Sequence, residues 1–274
     1  MIDLWDLKTY TTDIMKVLES GRQTIAGFHE REHELRNAPP QKTQIQRLLS
    51  HIPENEFEDR LNDLRDELGH LLSSKVVRGF HYCRLIDAEA DGFLTNGIIL
   101  TSTDFLRQRV DRLVELDHLT RAQGDKIVNQ TALDRPAEFG HRVGFNLTAT
   151  PIQTDSSFVD LLLRYWGGES AYWVFQEVDE DLLTHLETVG RPRIIEVAVP
   201  VEALEYGETG AGMASDLVNV YANSIGIPQT VRRDLRLKAT LPPTSILKVV
   251  TQGESDFDNF AHSYPATYEA TAED

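Results

Sequence analysis

The stretch of the chain from Val76 to Thr103 places the strongest constraint on the fold. It begins as a short apolar, β-prone segment and continues through a polar tip into a helical segment that is apolar on one side. Asn96 and Gly97 then predict a helix stop, and a second apolar, β-branched run follows them. Helical patterns dominate before this stretch, and strand patterns appear only from it onward. We therefore expect the chain to segregate its helices and strands instead of alternating them.

The N-terminal part, residues 1–75, has helical periodicity in two segments, 1–35 and 43–72. They are separated by Arg36–Lys42, where two prolines break the pattern. In the second segment, an apolar stripe keeps a 4-3-4-3 spacing and consists of Phe57, Leu61, Leu64, Leu68 and Leu71. Such a stripe could close the core of this chain or dock onto a helix of a partner.

The mixed helix and strand patterns of residues 76–261 predict an α+β domain. The polar, acidic composition of residues 262–274 predicts a loose tail. The predicted strands are Val76–Tyr82, Gly97–Leu100, Val143–Thr148, Ala171–Phe175, Arg193–Val199, Leu235–Thr240 and Ile246–Val250. The predicted helices are Asp87–Leu94, Asp104–Leu119, 120–130, Ser157–Trp166, Asp179–Thr188 and 214–225. Because strands and helices do not alternate regularly, a doubly wound parallel sheet is disfavoured. We expect a mixed or antiparallel sheet with helices on its sides.

The charge and cysteine content narrow the function classes. A formal net charge of −17 repels phosphate backbones at long range, which disfavours general nucleic-acid binding outside a local basic cleft. No apolar run approaches the ~20 residues that a membrane-spanning helix needs. Cys83 is the only cysteine, so the chain has no internal disulfide and no cysteine-based zinc site. A single thiol fits a reducing compartment, and we expect a cytoplasmic location.

Several common catalytic and metal motifs are missing from the sequence. There is no GxxxxGK[ST] phosphate loop, no HExxH zinc motif and no GxSxG elbow. His29 and His33 share one helix face at i, i+4, but no third ligand is near them in sequence, and we expect no metal site. Cys83 could act as a nucleophile only if its thiol pKa were lowered and a general base lay nearby. We expect it to be a small buried residue instead.

The candidate site that remains is the end of the first strand. His81 follows the apolar segment, with Tyr82 beside it and Arg84 three residues further on. Arginine offers a fork of donors that fits phosphate, and neutral histidine offers one donor and one acceptor that suit a ribose hydroxyl. The strand end is therefore predicted to bind an anion or a ribose, although His81 could also be a hydrogen-bonded core residue.

This pattern resembles the start of the ADP-ribosyltransferase fold of the diphtheria-toxin and PARP type. The residues that carry the resemblance are Phe80, His81, Arg84, Asn96, Gly97, Ile98 and Ser102. The resemblance covers this one stretch, and the later strands are compatible with it without being diagnostic. It implies a split sheet whose first strand holds NAD as the cofactor, with Tyr82 beside the histidine.

The resemblance also implies a glutamate near the ribose and an aromatic ring that stacks on nicotinamide. Glu169 follows a helix end and two glycines, and Glu196 lies inside the apolar strand Arg193–Val199, so these two are the candidate catalytic carboxylates. The candidate aromatic residues are Tyr165 and Trp166. Glu169 could also sit in a surface turn, Glu196 could face solvent, and the aromatic residues could belong to the core.

The resemblance implies transfer of ADP-ribose from NAD to a protein or nucleic-acid acceptor. A role as a toxin or antiviral effector, held in check by an antitoxin or other regulatory partner, would follow. The chain has no Glu-x-Glu pair and no Ser-Thr-Ser strand in the usual places, which favours the histidine-type branch. Two alternatives remain open: a non-catalytic acidic interaction protein that uses the N-terminal helices, and a nuclease or other hydrolase that uses the glutamates and histidines.

Overall fold

The protein is an α+β structure built around one antiparallel sheet. A computed structural model describes residues 1–37, 55–131, 133, 144–175, 179–205, 211–231 and 233–260. Within these residues, the sheet has five strands in the order β4-β2-β1-β3-β5. The strands are β1 Val76–Leu85, β2 Phe145–Thr148, β3 Arg191–Pro200, β4 Asp234–Leu237 and β5 Ile246–Thr251. The predicted α+β class is confirmed, and the sheet is antiparallel throughout its ladders.

The two longest strands, β1 and β3, form the centre of the sheet and pair along their whole length, from Val76↔Pro200 to Leu85↔Arg191. Both strands are rich in buried apolar residues, as expected for strands covered on two faces. The neighbour on the other side of β1 is β2, and among the described residues these two strands pair at Phe80↔Thr148 alone. Strand β1 is therefore paired along its whole length with β3 but only briefly with β2.

In the described part of the chain, three α-helices precede the first strand, and the other α-helices lie between or after the strands. In chain order they are α1 Thr12–Ser20, α2 Arg22–Asn37, α3 Glu58–Leu72, α4 Asp87–Asn96, α5 Thr103–Glu115, α6 Arg121–Gln130, α7 Ser157–Arg164, α8 Glu169–Phe175, α9 Glu180–Leu186, α10 Ala211–Ser224 and α11 Ser255–Asp258. Helix α6, predicted over 120–130, begins with a capping box, in which Thr120 and Gln123 cap each other's backbone N–H groups.

The N-terminal helices and the sheet share one hydrophobic core. Leu61, Leu64 and Leu68 of the predicted stripe are buried in α3, and they belong to the same cluster as β3 residues such as Val197. Helix α3 also packs against α10. The stripe therefore closes the core of this chain, as one of the two open interpretations predicted. The start of the second helical segment and the C-terminal tail from residue 261 lie outside the described residues.

Two predicted strands are wrong. Residues Ala171–Phe175 belong to helix α8, where Ala171, Tyr172 and Phe175 are buried in a second core with α5, α6 and α9. Their spacing of one and four places them on one helix face, and this burial overrides the β preference of the aromatic residues. The run Gly97–Leu100 forms only an isolated bridge, Ile98↔Leu241, instead of a strand.

Candidate functional site

The candidate site is a cavity of about 610 Å³ in the opening between β1 and β2. Its volume lies within the range of small-molecule and cofactor pockets. The cavity is lined by residues from both faces of β1, with Tyr82 and Arg84 on one face and His81 and Cys83 on the other. Both faces are accessible because β2 leaves the edge of β1 after the single pair Phe80↔Thr148.

His81 is held in a defined orientation at the point where the strands separate. Its Nδ1 lies 2.8 Å from the main-chain oxygen of Asn146 in β2, and its ring packs on Phe145 with centroids 4.2 Å apart. A carbonyl oxygen can only accept a hydrogen bond, so Nδ1 carries the proton and donates it. In the neutral ring, Nε2 is therefore an acceptor, and His81 is one of the residues that line the cavity.

The protein keeps the His81 imidazole neutral. Desolvation lowers the pKa of His81 to about 4, the hydrogen bond to Asn146 opposes this effect, and the positive charge of Arg109 adds to it. At neutral pH the ring is thus an uncharged acceptor. A ligand hydroxyl group, which can donate to Nε2, is the natural partner for such a nitrogen.

Arg84 lines the cavity, but much of its guanidinium is already used. Its Nε donates to the carbonyl oxygen of Val189 at 2.9 Å, and its Nη1 lies 3.5 Å from that of Leu163. Partial burial lowers the pKa of Arg84, and Glu187 raises it. These contacts tie β1 to the helix α7 and to the loop before β3. Arg84 is therefore in the predicted place, with a structural task alongside any contact to a ligand.

Glu169, which is distant in sequence from β1, lines the same cavity. Gly167 and Gly168 line the cavity too, and they have consecutive positive φ angles of 85° and 52°. Only glycine adopts such a pair without strain, and it turns the chain sharply between α7 and α8. The turn places Glu169 at the first residue of α8. Ser170 closes the turn by donating to the Gly167 carbonyl oxygen at 2.5 Å.

Two of the predicted site residues, Tyr82 and Gly97, form walls or turns around the cavity, and so does Cys83. Tyr82 lines it, and its hydroxyl donates to the Ile152 carbonyl at 2.9 Å and accepts from the Ile152 N–H at 2.6 Å. Gly97 ends α4 with φ 75°, and a Cβ there would lie 2.0 Å from the Leu241 carbonyl oxygen. Cys83 lines the cavity as a buried thiol whose pKa is raised to about 12, mainly by desolvation. A thiol with so high a pKa is a poor nucleophile.

Four predicted site residues lie outside the cavity lining. Ser102 is the N-cap of α5 and accepts from the Phe105 N–H at 3.1 Å. Tyr165 and Trp166 are buried in the second core, which accounts for the large aromatic side chains at these positions. Glu196 faces the same side of the sheet as Phe80 and forms an ion pair with Arg78. This pairing accounts for a carboxylate inside an apolar strand without a catalytic role.

The sequence reasoning missed a polar network beside the cavity. Glu89 of α4 accepts from Nε of Arg109 at 2.7 Å, from Nε1 of Trp166 at 2.9 Å and from the N–H of Ile86 at 3.1 Å. The Arg109 guanidinium also lies over the Trp166 ring, 4.7 Å from its centroid. The network fixes Arg109 of α5 against the residue that precedes the Gly167–Gly168 turn.

A second arginine of α5, Arg112, also lines the cavity. Arg109 and Arg112 are three residues apart and lie beside the buried stripe Leu106, Val110 and Leu113. Residues at such a boundary face neither the core nor open solvent fully. In the sequence, the two arginines at the edge of the apolar stripe of the predicted helix are the signal that could indicate a positively charged wall of a site.

Comparisons with protein-family models, with curated proteins and with solved structures found no match to this chain. Among the described residues, three or more metal-ligating side chains do not come together at any point. No helix in the described part of the chain combines the length and apolar character required to span a membrane.

Proposed function

We propose that this chain is an ADP-ribosyltransferase that binds NAD in the cavity between β1 and β2 and transfers ADP-ribose to a macromolecular acceptor. One observation supports the proposal above the others. His81 and Arg84 of the first strand line a single cavity together with Glu169, which lies far from them in the sequence. The ADP-ribosyltransferase pattern implies this grouping of a strand histidine, an arginine and a distant glutamate.

The geometry of His81 supports a ribose ligand in particular. Its Nε2 is an acceptor because Nδ1 donates to Asn146, so a ribose hydroxyl can donate to it. The low pKa of His81 maintains this acceptor across the neutral pH range. Glu169 is the candidate catalytic carboxylate, since Glu196 is paired with Arg78 outside the cavity lining.

In the proposed reaction, the bond between the nicotinamide nitrogen and ribose C1′ breaks. The bonding electron pair leaves with nicotinamide, which departs as a neutral molecule, and C1′ develops positive charge. The carboxylate of Glu169 stabilises that charge electrostatically. A lone pair of the acceptor then forms the new bond to C1′, and the acceptor loses its proton to Glu169 or to solvent. NAD supplies the ADP-ribose, and no further oxidant or reductant is needed.

The acceptor is proposed to be a protein or a nucleic acid, and the chain a toxin or defence effector with an inhibitory partner. The alternative of a non-catalytic interaction protein rested in part on the leucine stripe. Leu61, Leu64 and Leu68 of that stripe are buried in the core, so they are not available to a partner.

The test is the release of nicotinamide from labelled NAD by the wild type, Glu169→Gln and Glu196→Gln, with cell lysate as the source of acceptors. We expect Glu169→Gln to lower the rate by about 10²-fold or more, as for the loss of one electrostatic catalytic group. NAD binding, measured by calorimetry, should change far less. Glu196→Gln is the matched control and should retain the wild-type rate.

Two results would reject the proposal. The first is a wild type that neither binds NAD nor releases nicotinamide with any acceptor preparation. The second is a Glu169→Gln variant that is folded and as active as the wild type. Thermal melting of all three proteins establishes that a lost rate does not come from unfolding.

A further inference from the structure

We infer that Arg109 and Arg112 of α5 form a subsite for the diphosphate of a nucleotide bound in the cavity. The inference rests on the proposed function for the identity of that nucleotide as NAD, but the subsite itself recognises any nucleoside diphosphate. It differs from the expectation drawn from the sequence, in which Arg84 of β1 was the phosphate ligand.

Arg84 has limited capacity for phosphate. Its Nε and Nη1 are directed at the carbonyl oxygens of Val189 and Leu163. A guanidinium binds phosphate best with two parallel donors on one edge. In Arg84 both the edge that contains Nε and the edge between the two Nη groups therefore have a donor directed at a main-chain carbonyl. In Arg109, Glu89 occupies Nε and leaves the edge between the two Nη groups for a ligand.

Arg109, in contrast, is fixed in place beside the cavity. Glu89 holds it through Nε at 2.7 Å, and its guanidinium lies over the Trp166 ring. The remaining donors of an arginine belong to its two Nη groups, and a guanidinium held by an ion pair and an aromatic face loses little further freedom on binding. Its side chain retains 20% exposure, which leaves it accessible from the cavity that it lines.

Arg109 and His81, the proposed ribose-binding residue, line the same cavity. The positive charge of Arg109 also contributes to lowering the pKa of His81. A nucleotide joins its ribose hydroxyls and its diphosphate within one molecule. An acceptor nitrogen on His81 and a guanidinium near it therefore match two neighbouring groups of one ligand.

Arg112 provides a second positive charge among the residues that line the cavity, on a more exposed side chain. It lies three residues after Arg109 on the same helix, and its side chain is 55% exposed. Its partner is Glu115, at 3.0 Å in an exposed i, i+3 pair. Such surface pairs contribute little, so a phosphate can replace Glu115 at small cost. In a chain with a net charge of −17, a dianionic group needs such local positive charge.

Calorimetric binding of ADP and of adenosine tests the inference, because these ligands differ only in the diphosphate. The variants are Arg112→Gln, which removes an exposed charge, and Arg109→Lys, which retains the ion pair with Glu89 but loses the fork. The matched control is Arg107→Gln on the same helix, since Arg107 pairs with Asp125 at 2.6 Å and does not line the cavity.

We expect each of the two cavity variants to weaken ADP binding about tenfold or more, as for the loss of a charged hydrogen bond. Adenosine binding should stay within twofold of the wild type, and Arg107→Gln should bind both ligands normally. Equal ADP affinity in wild type and Arg112→Gln and Arg109→Lys would overturn the subsite. So would a parallel loss of adenosine binding, or a wild type that does not bind ADP.

The outcomes separate this inference from the proposed function. If ADP binding depends on the two arginines but NAD is never cleaved, the subsite stands and the transferase proposal falls. If NAD is cleaved at the wild-type rate and with the wild-type KM by both arginine variants, the transferase proposal stands and the subsite falls.

Discussion

The protonation of His81 offers a quantitative test of the site geometry. The ring is expected to remain neutral far below the ordinary pKa of 6.5, because desolvation lowers that pKa to about 4. The perturbation is acidification from pH 7 to pH 4, with and without the substitution His81→Gln. Glutamine retains a donor for the Asn146 carbonyl but does not titrate in this range.

The magnitude follows from the two pKa values. A shift from 6.5 to about 4 is roughly 2.5 units, and each unit is about 1.36 kcal/mol, which gives about 3.4 kcal/mol for a fully enclosed ring. Because His81 is only partly buried, solvent screening reduces this to roughly 2 kcal/mol. The unfolded chain takes up the proton first, so stability is lost as the pH falls from 6.5 to about 4, with no further loss below.

Asp216 makes the comparison between wild type and variant necessary. Burial raises the pKa of Asp216 to about 6, although Arg233 opposes this, so its contribution to stability increases as the pH falls through that range. That effect has the opposite sign to the effect of His81. Subtracting the unfolding free energy of His81→Gln from that of the wild type at each pH cancels the Asp216 contribution.

The assay is urea unfolding at a series of pH values, together with NMR titration of the histidine Cε1–H signals. Between pH 7 and pH 4, the wild type should lose roughly 2 kcal/mol more stability than His81→Gln. The His81 signal should titrate near pH 4. A His81 pKa of 6 or above, or identical pH dependence in the two proteins, would refute the desolvated, Nδ1-protonated ring.

Two further predictions concern stability, one at a glycine that lines the cavity and one at a buried ion pair of α10. Gly97→Ala should destabilise the protein by more than about 2 kcal/mol in urea unfolding, because the new Cβ meets the Leu241 carbonyl at a positive φ. Gly226→Ala, at φ 89° with open space around it, should cost only about 1 kcal/mol, and equal costs would contradict the close approach. Asp216→Ala should cost about 3 kcal/mol, since it leaves the Arg233 charge without its buried partner, and a change below about 1 kcal/mol would contradict that pairing.

The sequence predicted the α+β class and the first strand because their signals are local. The apolar, β-prone run around Phe80 and the glycine stop at Gly97 depend on residues close together in the chain. Helix α8 could not be predicted in the same way. Its aromatic residues favour a strand by propensity, and only the second core, built from distant helices, makes the helical face of Ala171 and Phe175 the better solution.

The candidate site shows the same division between local and distant signals. His81 and Glu169 were named from local cues, a strand end and a glycine turn. The exclusion of Glu196 required the position of Arg78 across the central strand pair, and the commitment of Arg84 required the loop before β3. The network of Glu89, with donors from α5 and from the end of α7, joins three separate segments, so no local pattern could reveal it.

A structure of Glu169→Gln in complex with NAD would test the central claim most directly, because the substitution should preserve binding while stopping cleavage. The account predicts NAD in the cavity between β1 and β2, with a ribose hydroxyl donating to Nε2 of His81. The nicotinamide ribose should face residue 169, and the diphosphate should lie against Arg109. NAD bound elsewhere on the protein, or a cavity that stays empty at saturating NAD, would contradict it.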